Sequence, residues 1–267
     1  MKLEEIRRIR SFVLDMDGTI YLGDQLFDFT REFLHTVVET GRTYYYFTNN
    51  SSRGLATYMD RLMRMGIPIR PDQMMISTQV CIRYLKKHHP GKTIYLVGTP
   101  SLCQQFEESG MILVDRDPDM VILGFDTTLT YEKISKACHY VRNGCLYYGI
   151  NPDWNCPMEG GNFIPDCGSM AKLVEASTGR WPRFFGKPTR EALNYMIETA
   201  GVRPDQLAVV GDRLYTDIAV ADGSEVTSIL VLTGESTRED AEKAPAKPDL
   251  IVDSLADLIP ILREGIG

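Results

Sequence analysis

The chain has 267 residues, of which 43% are hydrophobic and 24% charged, and a formal net charge of -7 at pH 7. These values are typical of a globular protein and exclude a disordered or fibrous chain. The negative charge argues against nucleic acid and anionic membranes as partners, so an anionic substrate has to be bound by a few local cations.

The location of the protein is predicted from what the sequence lacks. No apolar stretch approaches the roughly 18 residues of a membrane helix, and the first ten residues lack the apolar region of a signal peptide. We therefore expect a cytoplasmic protein. The six cysteines form no CxxC pair and have no histidine at zinc-finger spacing, so we expect reduced, structural thiols.

The two ends of the chain alternate short apolar runs with segments of helical periodicity. In chain order, the pattern predicts a strand at 12–15, a helix at 28–40, a strand at 43–47, a helix at 53–65 ending at Gly66, and a strand at 74–77. The tail predicts a helix at 189–200 closed by Gly201, a strand at 207–210, a helix at 216–222, strands at 227–232 and 249–252, and a helix at 254–263. Alternation of this kind predicts an α/β fold with a doubly wound parallel sheet.

The middle of the chain has an α/β pattern of its own. It predicts helices at 79–88, 100–109, 131–143 and 168–178, and strands at 93–97, 120–124 and 146–150. Because this section is too long for a loop and too regular for a linker, we predict an inserted α/β domain at 79–183. Residues 1–78 and 184–267 would then form the main domain.

Two aspartates follow the first predicted strand. Asp15 and Asp17 are two positions apart in an extended segment, so their side chains point roughly the same way and can bracket one phosphoryl group. Gly18 permits a turn that a residue with a Cβ resists. Aspartate is seldom buried unless it is paired or binds a cation, so we interpret this segment as a functional site rather than a simple turn.

The segment FTNNSSRG, at 47–54, lies between a predicted strand and a predicted helix. Its small polar side chains and the free N–H groups of a helix N-terminus together favour binding of an anion. We assign Thr48 and Asn49 to phosphate contact and Asn50 to substrate binding. The two serines that follow fit helix capping equally well.

Two further motifs lie after the predicted insert, the first of them where the chain returns to the main domain. Lys187 precedes a proline in FFGKPTREAL and supplies a local positive charge. Asp212 follows the predicted strand 207–210, and Asp217 lies shortly after it. If this strand is next to strand 12–15, the aspartates meet at the carboxyl ends of neighbouring strands, where open α/β sheets bind ligands.

Converging carboxylates repel one another and resist ionisation unless a cation joins them. Oxygen ligands with open positions suit Mg²⁺, which keeps several waters and shares phosphate oxygens. The sequence therefore predicts a Mg²⁺ site among these aspartates.

The four motifs, in this order, resemble those of the haloacid dehalogenase superfamily: DxDGT, then Thr48 with TNN, then Lys187, then GDRxxTD. An α/β insert between the second and third motifs is similar to the type C2a cap of the NagD-like phosphatases, also called p-nitrophenylphosphatases. Within the insert, NPDWNCP, IPDCGSM and VEASTGRWP resemble segments of that cap. The resemblance covers the whole chain and implies that 79–183 is a cap domain that selects the substrate.

The resemblance also implies a mechanism. Asp15 would be the nucleophile that forms an aspartyl-phosphate, and Asp17 would protonate the leaving oxygen and later deprotonate the attacking water. Thr48 and Asn49 would bind the phosphoryl oxygens, and Lys187 would neutralise their charge.

The same resemblance implies the metal ligands. Mg²⁺ would bind Asp15, the backbone carbonyl of Asp17, and Asp212. Asp217 would stand next to the metal ligands or orient Lys187.

Contacts outside the core motifs are less specific. Arg53 either reaches the substrate or covers its helix. Asn151 and Asp153 are the cap residues that we expect to face the site, although an Asn-Pro-Asp turn explains them as well. The sequence DCG at 166–168 stands where many relatives carry Pro-Gly-x-Gly, so this loop is a poor guide to specificity. A homodimer formed through the caps is a tendency of the family.

The expected function is Mg²⁺-dependent hydrolysis of a small soluble phosphate monoester. A phosphotransferase or mutase shares the first half-reaction and stays open as an alternative. A non-catalytic phospholigand-binding protein would be expected to lose Asp17, which is present. A dinucleotide-binding oxidoreductase would need GxGxxG after the first strand, where this chain has DMDGTI.

Overall fold

The computed structural model describes residues 3–158 and 162–264 of the chain. It forms two compact units. Unit 1 comprises the residues up to Thr48, the segment Met59–Met75 and the residues from Ala192 onward, and unit 2 comprises Asn49–Tyr58 and Ile76–Glu191. The limits predicted for the inserted domain stay a prediction.

Strands and helices alternate along most of the described chain. The strands are β1 (Ser11–Leu14), β2 (Tyr21–Leu22), β3 (Gln25–Leu26), β4 (Thr43–Thr48), β5 (Met74–Ile76), β6 (Thr93–Val97), β7 (Ile112–Leu113), β8 (Met120–Leu123), β9 (Leu146–Gly149), β10 (Asn155–Pro157), β11 (Phe163–Pro165), β12 (Arg183–Phe184), β13 (Leu207–Gly211), β14 (Thr227–Val231) and β15 (Leu250–Val252). The helices are α1 (Leu3–Arg8), α2 (Thr30–Glu39), α3 (Leu55–Arg64), α4 (Ser77–His88), α5 (Pro100–Glu108), α6 (Tyr131–Arg142), α7 (Cys167–Thr178), α8 (Arg190–Ala200), α9 (Arg238–Lys243) and α10 (Leu258–Arg263).

Unit 1 is built on a six-stranded sheet in the order β15-β14-β13-β1-β4-β5. The four pairs from β15 to β4 are all parallel. Every residue of β1 and of β13 is buried, as expected for central strands of a parallel sheet covered on both faces. The predicted α/β fold with a parallel sheet is confirmed.

The register of the central strands aligns their carboxyl ends. Leu14, the last residue of β1, is opposite Val210 of β13 on one side and Tyr46 of β4 on the other. The N–H of Asp15 donates to the carbonyl of Val210 at 2.8 Å. The residues that follow these three strands therefore leave the sheet at one edge.

Unit 2 contains a second sheet, in the order β12-β9-β8-β6-β7, and its neighbouring strands are parallel. Its core includes apolar residues of β6 and β8 packed with residues of α6 and α7, such as Val97, Leu123, Val141 and Val174. The short strands β10 and β11 form a separate antiparallel hairpin.

Several predicted helix ends are found where glycine indicated them. Gly66 and Gly201 follow α3 and α8 and have φ angles of 76° and 65°, a region that favours glycine. The prediction missed α1, α9, the short strands β7 and β12, and the hairpins β2–β3 and β10–β11. Each of these helices and individual strands is at most six residues long, too short for a periodic pattern to stand out.

The predicted helix at 216–222 is not a single regular helix. The structure has a π-helical turn at Leu214–Ile218, followed by a 3-10 turn at Ala219–Ala221. The N–H groups of Asp217 and Ile218 both donate to the carbonyl of Arg213. Single π turns are frequent at functional sites, and this one carries a buried carboxylate.

Two expectations from composition can be compared with the structure. All six cysteines are free thiols. Within the described residues, no helix combines the length and the apolar character that crossing a membrane would require.

Candidate active site

Three aspartates of unit 1 form a compact acidic cluster. Asp15 follows β1, Asp212 follows β13, and Asp217 lies in the π turn. Each offers one carboxylate oxygen, and these oxygens lie within 4.8 Å of one another. This spacing allows a single divalent cation to bind all three carboxylates.

Asp212 is a buried member of this cluster and is 2% exposed. Its Oδ2 accepts the N–H of Glu235 at 2.7 Å, but its Oδ1 is buried without a hydrogen-bond partner. Burial and the negative charges of Asp15 and Asp217 raise the pKa of Asp212. A cation bound to Oδ1 would satisfy this oxygen and offset the repulsion, so the residues present fit Mg²⁺.

Three glycines lack a Cβ that would overlap with the carboxylates of Asp212 and Asp217. A Cβ at Gly234 would lie 2.0 Å from Oδ2 of Asp212, and one at Gly18 would lie 2.6 Å from it. A Cβ at Gly211 would lie 2.3 Å from Cγ of Asp217. Gly18 also has a φ of 85°, which disfavours any other residue there.

The loop after β14, residues 232–237, was missed by the sequence analysis. Besides Gly234 and the N–H of Glu235, it supplies the hydroxyl of Thr233, which donates to the carbonyl of Gly18 at 2.6 Å. Glu235 forms an ion pair with Arg213 at 3.0 Å, and the N–H of Arg213 donates to Oδ2 of Asp217 at 3.1 Å. A run of small polar residues directly after a buried strand was the available signal.

Asp17 has an altered acidity. Burial and the Asp15 carboxylate raise its pKa to about 6, against the opposing effects of the Arg61 and Arg213 guanidinium groups and the Gly23 N–H. A carboxyl group with this pKa exists in both protonation states near neutral pH. This is the property that a general acid and base requires.

Thr48 is the last residue of β4 and is 8% exposed. Its strand is the neighbour of β1 on the side away from β13. Asp15, Asp212 and Thr48 thus follow or end three adjacent strands; the sequence had led us to expect the neighbouring strands of Asp15 and Asp212, but not that of Thr48.

In unit 2, Asn49 fixes the main chain at Lys187. Its Oδ1 accepts the Lys187 N–H at 2.8 Å, and its Nδ2 donates to the Lys187 carbonyl at 2.9 Å. A Cβ at Gly186 would lie 2.6 Å from Oδ1 of Asn49, so glycine is needed for this close approach. Lys187 itself is 2% exposed.

A buried hydrogen-bond network extends from Asn49. Its Nδ2 also donates to Asp153 at 2.8 Å, and Asp153 accepts from Asn151 at 2.9 Å. The Asn151 amide donates to Asp166 as well, and it accepts from the hydroxyl of Ser51. The Asn-Pro-Asp sequence therefore builds part of the buried frame of unit 2.

Asn50 and Arg53, the remaining candidates of the segment 47–54, differ in exposure. Asn50 accepts the N–H and the hydroxyl of Ser52, which is a local turn, and its Nδ2 is 3.6 Å from the Cys156 sulfur. The side chain of Arg53 is exposed.

The sequence DCG at 166–168, which differs from the Pro-Gly-x-Gly of many relatives, has a structural explanation. Asp166 caps α7 by accepting the Cys167 N–H, and the Cys167 thiol, fully buried, donates to the Leu123 carbonyl at 3.1 Å. The N–H of Gly168 donates to the Asp153 carbonyl at 2.8 Å. The three residues are thus part of the packing of unit 2.

Comparison with known families gives two matches that together span more than half of the chain. A model of the haloacid dehalogenase-like hydrolases matches residues 12–112, and a second model of the same kind of hydrolase matches residues 184–258. Both stretches include motif residues of the acidic cluster. The parallel sheet and the carboxylates at its edge therefore define a hydrolase of the haloacid dehalogenase type.

Similar proteins narrow this class. The chain is 30% identical to the 5'-nucleotidase YutF of Bacillus subtilis, covering 96% of this chain and 100% of the relative. It is 31% identical to an acid sugar phosphatase of Staphylococcus aureus, with 97% and 100% coverage. A 4-nitrophenylphosphatase from Thermotoga maritima is similar in structure, with 42% identity, a TM-score of 0.91, and 96% and 98% coverage.

NagD from Escherichia coli K-12 is also similar, with a TM-score of 0.85, 27% identity, and coverage of 93% of this chain and 98% of NagD. The chain belongs to the NagD-like subfamily of the haloacid dehalogenase family and is a phosphoric monoester hydrolase.

Proposed function

We propose that this protein hydrolyses small soluble phosphate monoesters with Mg²⁺ and through an aspartyl-phosphate on Asp15. The observation that carries the proposal is the cluster of Asp15, Asp212 and Asp217, whose carboxylate oxygens lie within 4.8 Å of one another. The buried Oδ1 of Asp212, which has no hydrogen-bond partner, supports a cation at this place.

Asp15, Asp212 and the backbone carbonyl of Asp17 would hold the ion. Asp217 would serve as a further ligand or fix the loop that carries Asp212, since its own Oδ2 accepts the Arg213 N–H. When bound, Mg²⁺ supplies positive charge that offsets the negative charge of the carboxylates and of the phosphoryl oxygens.

Two carboxylates would carry the chemistry. A carboxylate oxygen of Asp15 attacks phosphorus, the ester P–O bond breaks, and the leaving oxygen takes a proton from Asp17. In the second step Asp17 takes a proton from water, which attacks phosphorus, and inorganic phosphate leaves as Asp15 is restored. A pKa of about 6 for Asp17 supports both roles near neutral pH.

Further residues are proposed to bind or position the phosphoryl group. Thr48 and Lys187 would contact its oxygens, as the family motifs imply. Asn49 would act through Lys187, because both polar atoms of its side chain already contact the Lys187 main chain.

The other unit 2 candidates divide by their contacts. Asn151 and Asp153 would keep Asn49 in position rather than bind substrate directly, because both belong to the buried hydrogen-bond network that extends from Asn49. The exposed Arg53 and the partly buried Asn50 stay candidates for substrate contact.

The insert at 79–183 would act as a cap that selects the substrate, and a homodimer formed through the caps and a cytoplasmic location belong to the same proposal. The names of the relatives suggest which esters to try: nucleotides, sugar phosphates and 4-nitrophenyl phosphate.

The test is a phosphate-release screen over these esters with Mg²⁺, repeated with EDTA. EDTA and Asp15→Asn should each abolish turnover, whereas Asp60→Asn, an exposed aspartate on α3, should not. With an ester that has a good leaving group, the Asp17→Asn variant should form an acid-stable phosphoprotein and then release inorganic phosphate from it slowly. An Asp15→Asn enzyme that keeps its rate would reject the proposal, and phosphate found on an added alcohol rather than free would favour the phosphotransferase alternative.

A further inference from the structure

The hairpin β2–β3 is attached directly to Asp17. Asp17 and Tyr21 form a β-bridge, and the N–H of Gly18 donates to the Tyr21 carbonyl at 2.8 Å. Any shift of Tyr21 therefore moves the main chain that carries the Asp17 carboxyl.

This hairpin needs support from elsewhere in unit 1. Each of its strands has two residues, and a hairpin of this size is at best marginally stable alone. Leu22 at the tip is 55% exposed, so it contributes little burial, while Tyr21 is 2% exposed.

Arg61, on α3, supplies that support. Its Nη2 donates to the carbonyl of Gly23 at 2.6 Å and contacts Asp24 at 3.3 Å. Its guanidinium carbon lies 4.5 Å from the centre of the Tyr21 ring. One side chain thus contacts three of the residues from 21 to 24.

We propose that Arg61 is a positioning residue for Asp17 and acts through the β2–β3 hairpin. A planar guanidinium can cover a ring and hold a carbonyl at the same time, which a single ammonium group does less well. The inference rests on the proposed function, because it assumes that Asp17 is the general acid.

A misplaced general acid has a recognisable effect. An aryl oxygen such as that of p-nitrophenyl phosphate leaves readily without a proton, whereas an alkyl oxygen needs one. Loss of Asp17 positioning should therefore slow alkyl phosphates much more than aryl phosphates, while a merely structural defect slows both equally.

The experiment measures kcat and KM for p-nitrophenyl phosphate and for an alkyl phosphate, glycerol 2-phosphate, at saturating Mg²⁺. Arg61→Met keeps an apolar cover on Tyr21 but removes the charge and the donors. We expect it to raise the aryl-to-alkyl ratio of kcat/KM by about tenfold or more, because kcat/KM reports the first step, in which the leaving oxygen is protonated, and not the hydrolysis that both esters share. Arg61→Lys should shift the ratio in the same direction by a smaller factor.

Arg64→Met is the matched control, since Arg64 is exposed on the same helix, and it should leave the ratio unchanged. If Arg61→Met does not fold, as judged by circular dichroism, Arg61→Lys carries the test. A ratio unchanged in the folded Arg61 variants overturns the inference. Failure of the proposed function is distinct, because the wild-type enzyme would then turn over neither ester.

Discussion

Asp15 and Asp212 are about two hundred positions apart in the chain, yet they follow neighbouring parallel strands whose residues Leu14 and Val210 are in register. With Asp217 they place three carboxylate oxygens within 4.8 Å. The sheet thus assembles an acidic site from segments that have no local relationship.

Asp212→Asn should have opposite effects on stability with and without metal. In EDTA at alkaline pH, where Asp212 ionises despite its raised pKa, the substitution removes a buried negative charge that repels Asp15 and Asp217, while the Asn oxygen can still accept the Glu235 N–H. We expect a higher Tm than wild type in EDTA and loss of the Tm increase that Mg²⁺ gives the wild type. A lower Tm in EDTA together with an intact Mg²⁺ effect would contradict the assigned site.

Gly234→Ala should weaken Mg²⁺ binding. The added Cβ would lie 2.0 Å from Oδ2 of Asp212, so this carboxylate must move. We expect the Mg²⁺ concentration for half-maximal activity to rise about 10- to 100-fold, the usual cost of disturbing the support of a metal ligand.

Gly41→Ala is the control for this substitution. A Cβ there meets nothing within 4 Å, and its φ of 73° makes the change costly for stability alone. Its Tm should fall without a change in the Mg²⁺ dependence. Equal Mg²⁺ dependence in the two variants would refute the claim for Gly234.

Asn49→Asp should destabilise the protein although the side chains are nearly identical in shape. The second oxygen of Asp would face the Lys187 carbonyl and the Asp153 carboxylate in place of a donor. We expect a loss of about 1–3 kcal/mol in the free energy of unfolding, measured by urea denaturation. Asn50→Asp is the comparison, because Oδ1 of Asn50 acts as an acceptor from Ser52, and it should cost clearly less.

Asp119 should contribute to stability in a defined range of pH. Lys92 and the N–H and hydroxyl of Thr93 hold its pKa at about 2, below the usual 3.8. Since the folded form binds the proton more weakly, the contribution is present above about pH 4 and is lost as pH falls through 2. Asp119→Asn should therefore lower Tm at pH 7 and differ less from wild type near pH 2.

Glu107→Gln, a change of an exposed carboxylate on α5, serves as the control for Asp119. It should leave the difference in Tm from wild type nearly independent of pH. A constant Tm difference for Asp119→Asn between pH 7 and pH 2 would show that its carboxylate does not gain stability from ionisation.

Local structure was predictable wherever the interactions that decide it lie within a few residues. The sequence Arg-Pro-Asp-Gln occurs at 70–73 and at 203–206, and both copies form a 3-10 turn before a strand. In each, the glutamine oxygen accepts the arginine N–H and the arginine pairs with the aspartate two residues on. No distant residue is needed for these bonds, so the same sequence gives the same turn.

The acidic motifs were predictable for a related reason. Asp15 and Asp212 each follow a buried apolar strand, and the alternation of strands with helices implies that such strands end on one edge of a parallel sheet. Candidate residues could thus be chosen from sequence, although their distances could not.

The loop at 232–237 and the roles of Asn49 and Arg61 depended on the tertiary structure. Gly234 matters only because Asp212 lies next to it, and Arg61 only because α3 brings it to the hairpin at Tyr21. These contacts join segments far apart in the chain, and no local propensity records them. The sequence by itself determined the longer strands, several helix ends and the types of residue available for chemistry, because those follow from short-range sterics and hydrogen bonding. Which of these residues meet was decided by the packing of the sheet and its loops, because contacts between distant segments exist only once the chain is folded.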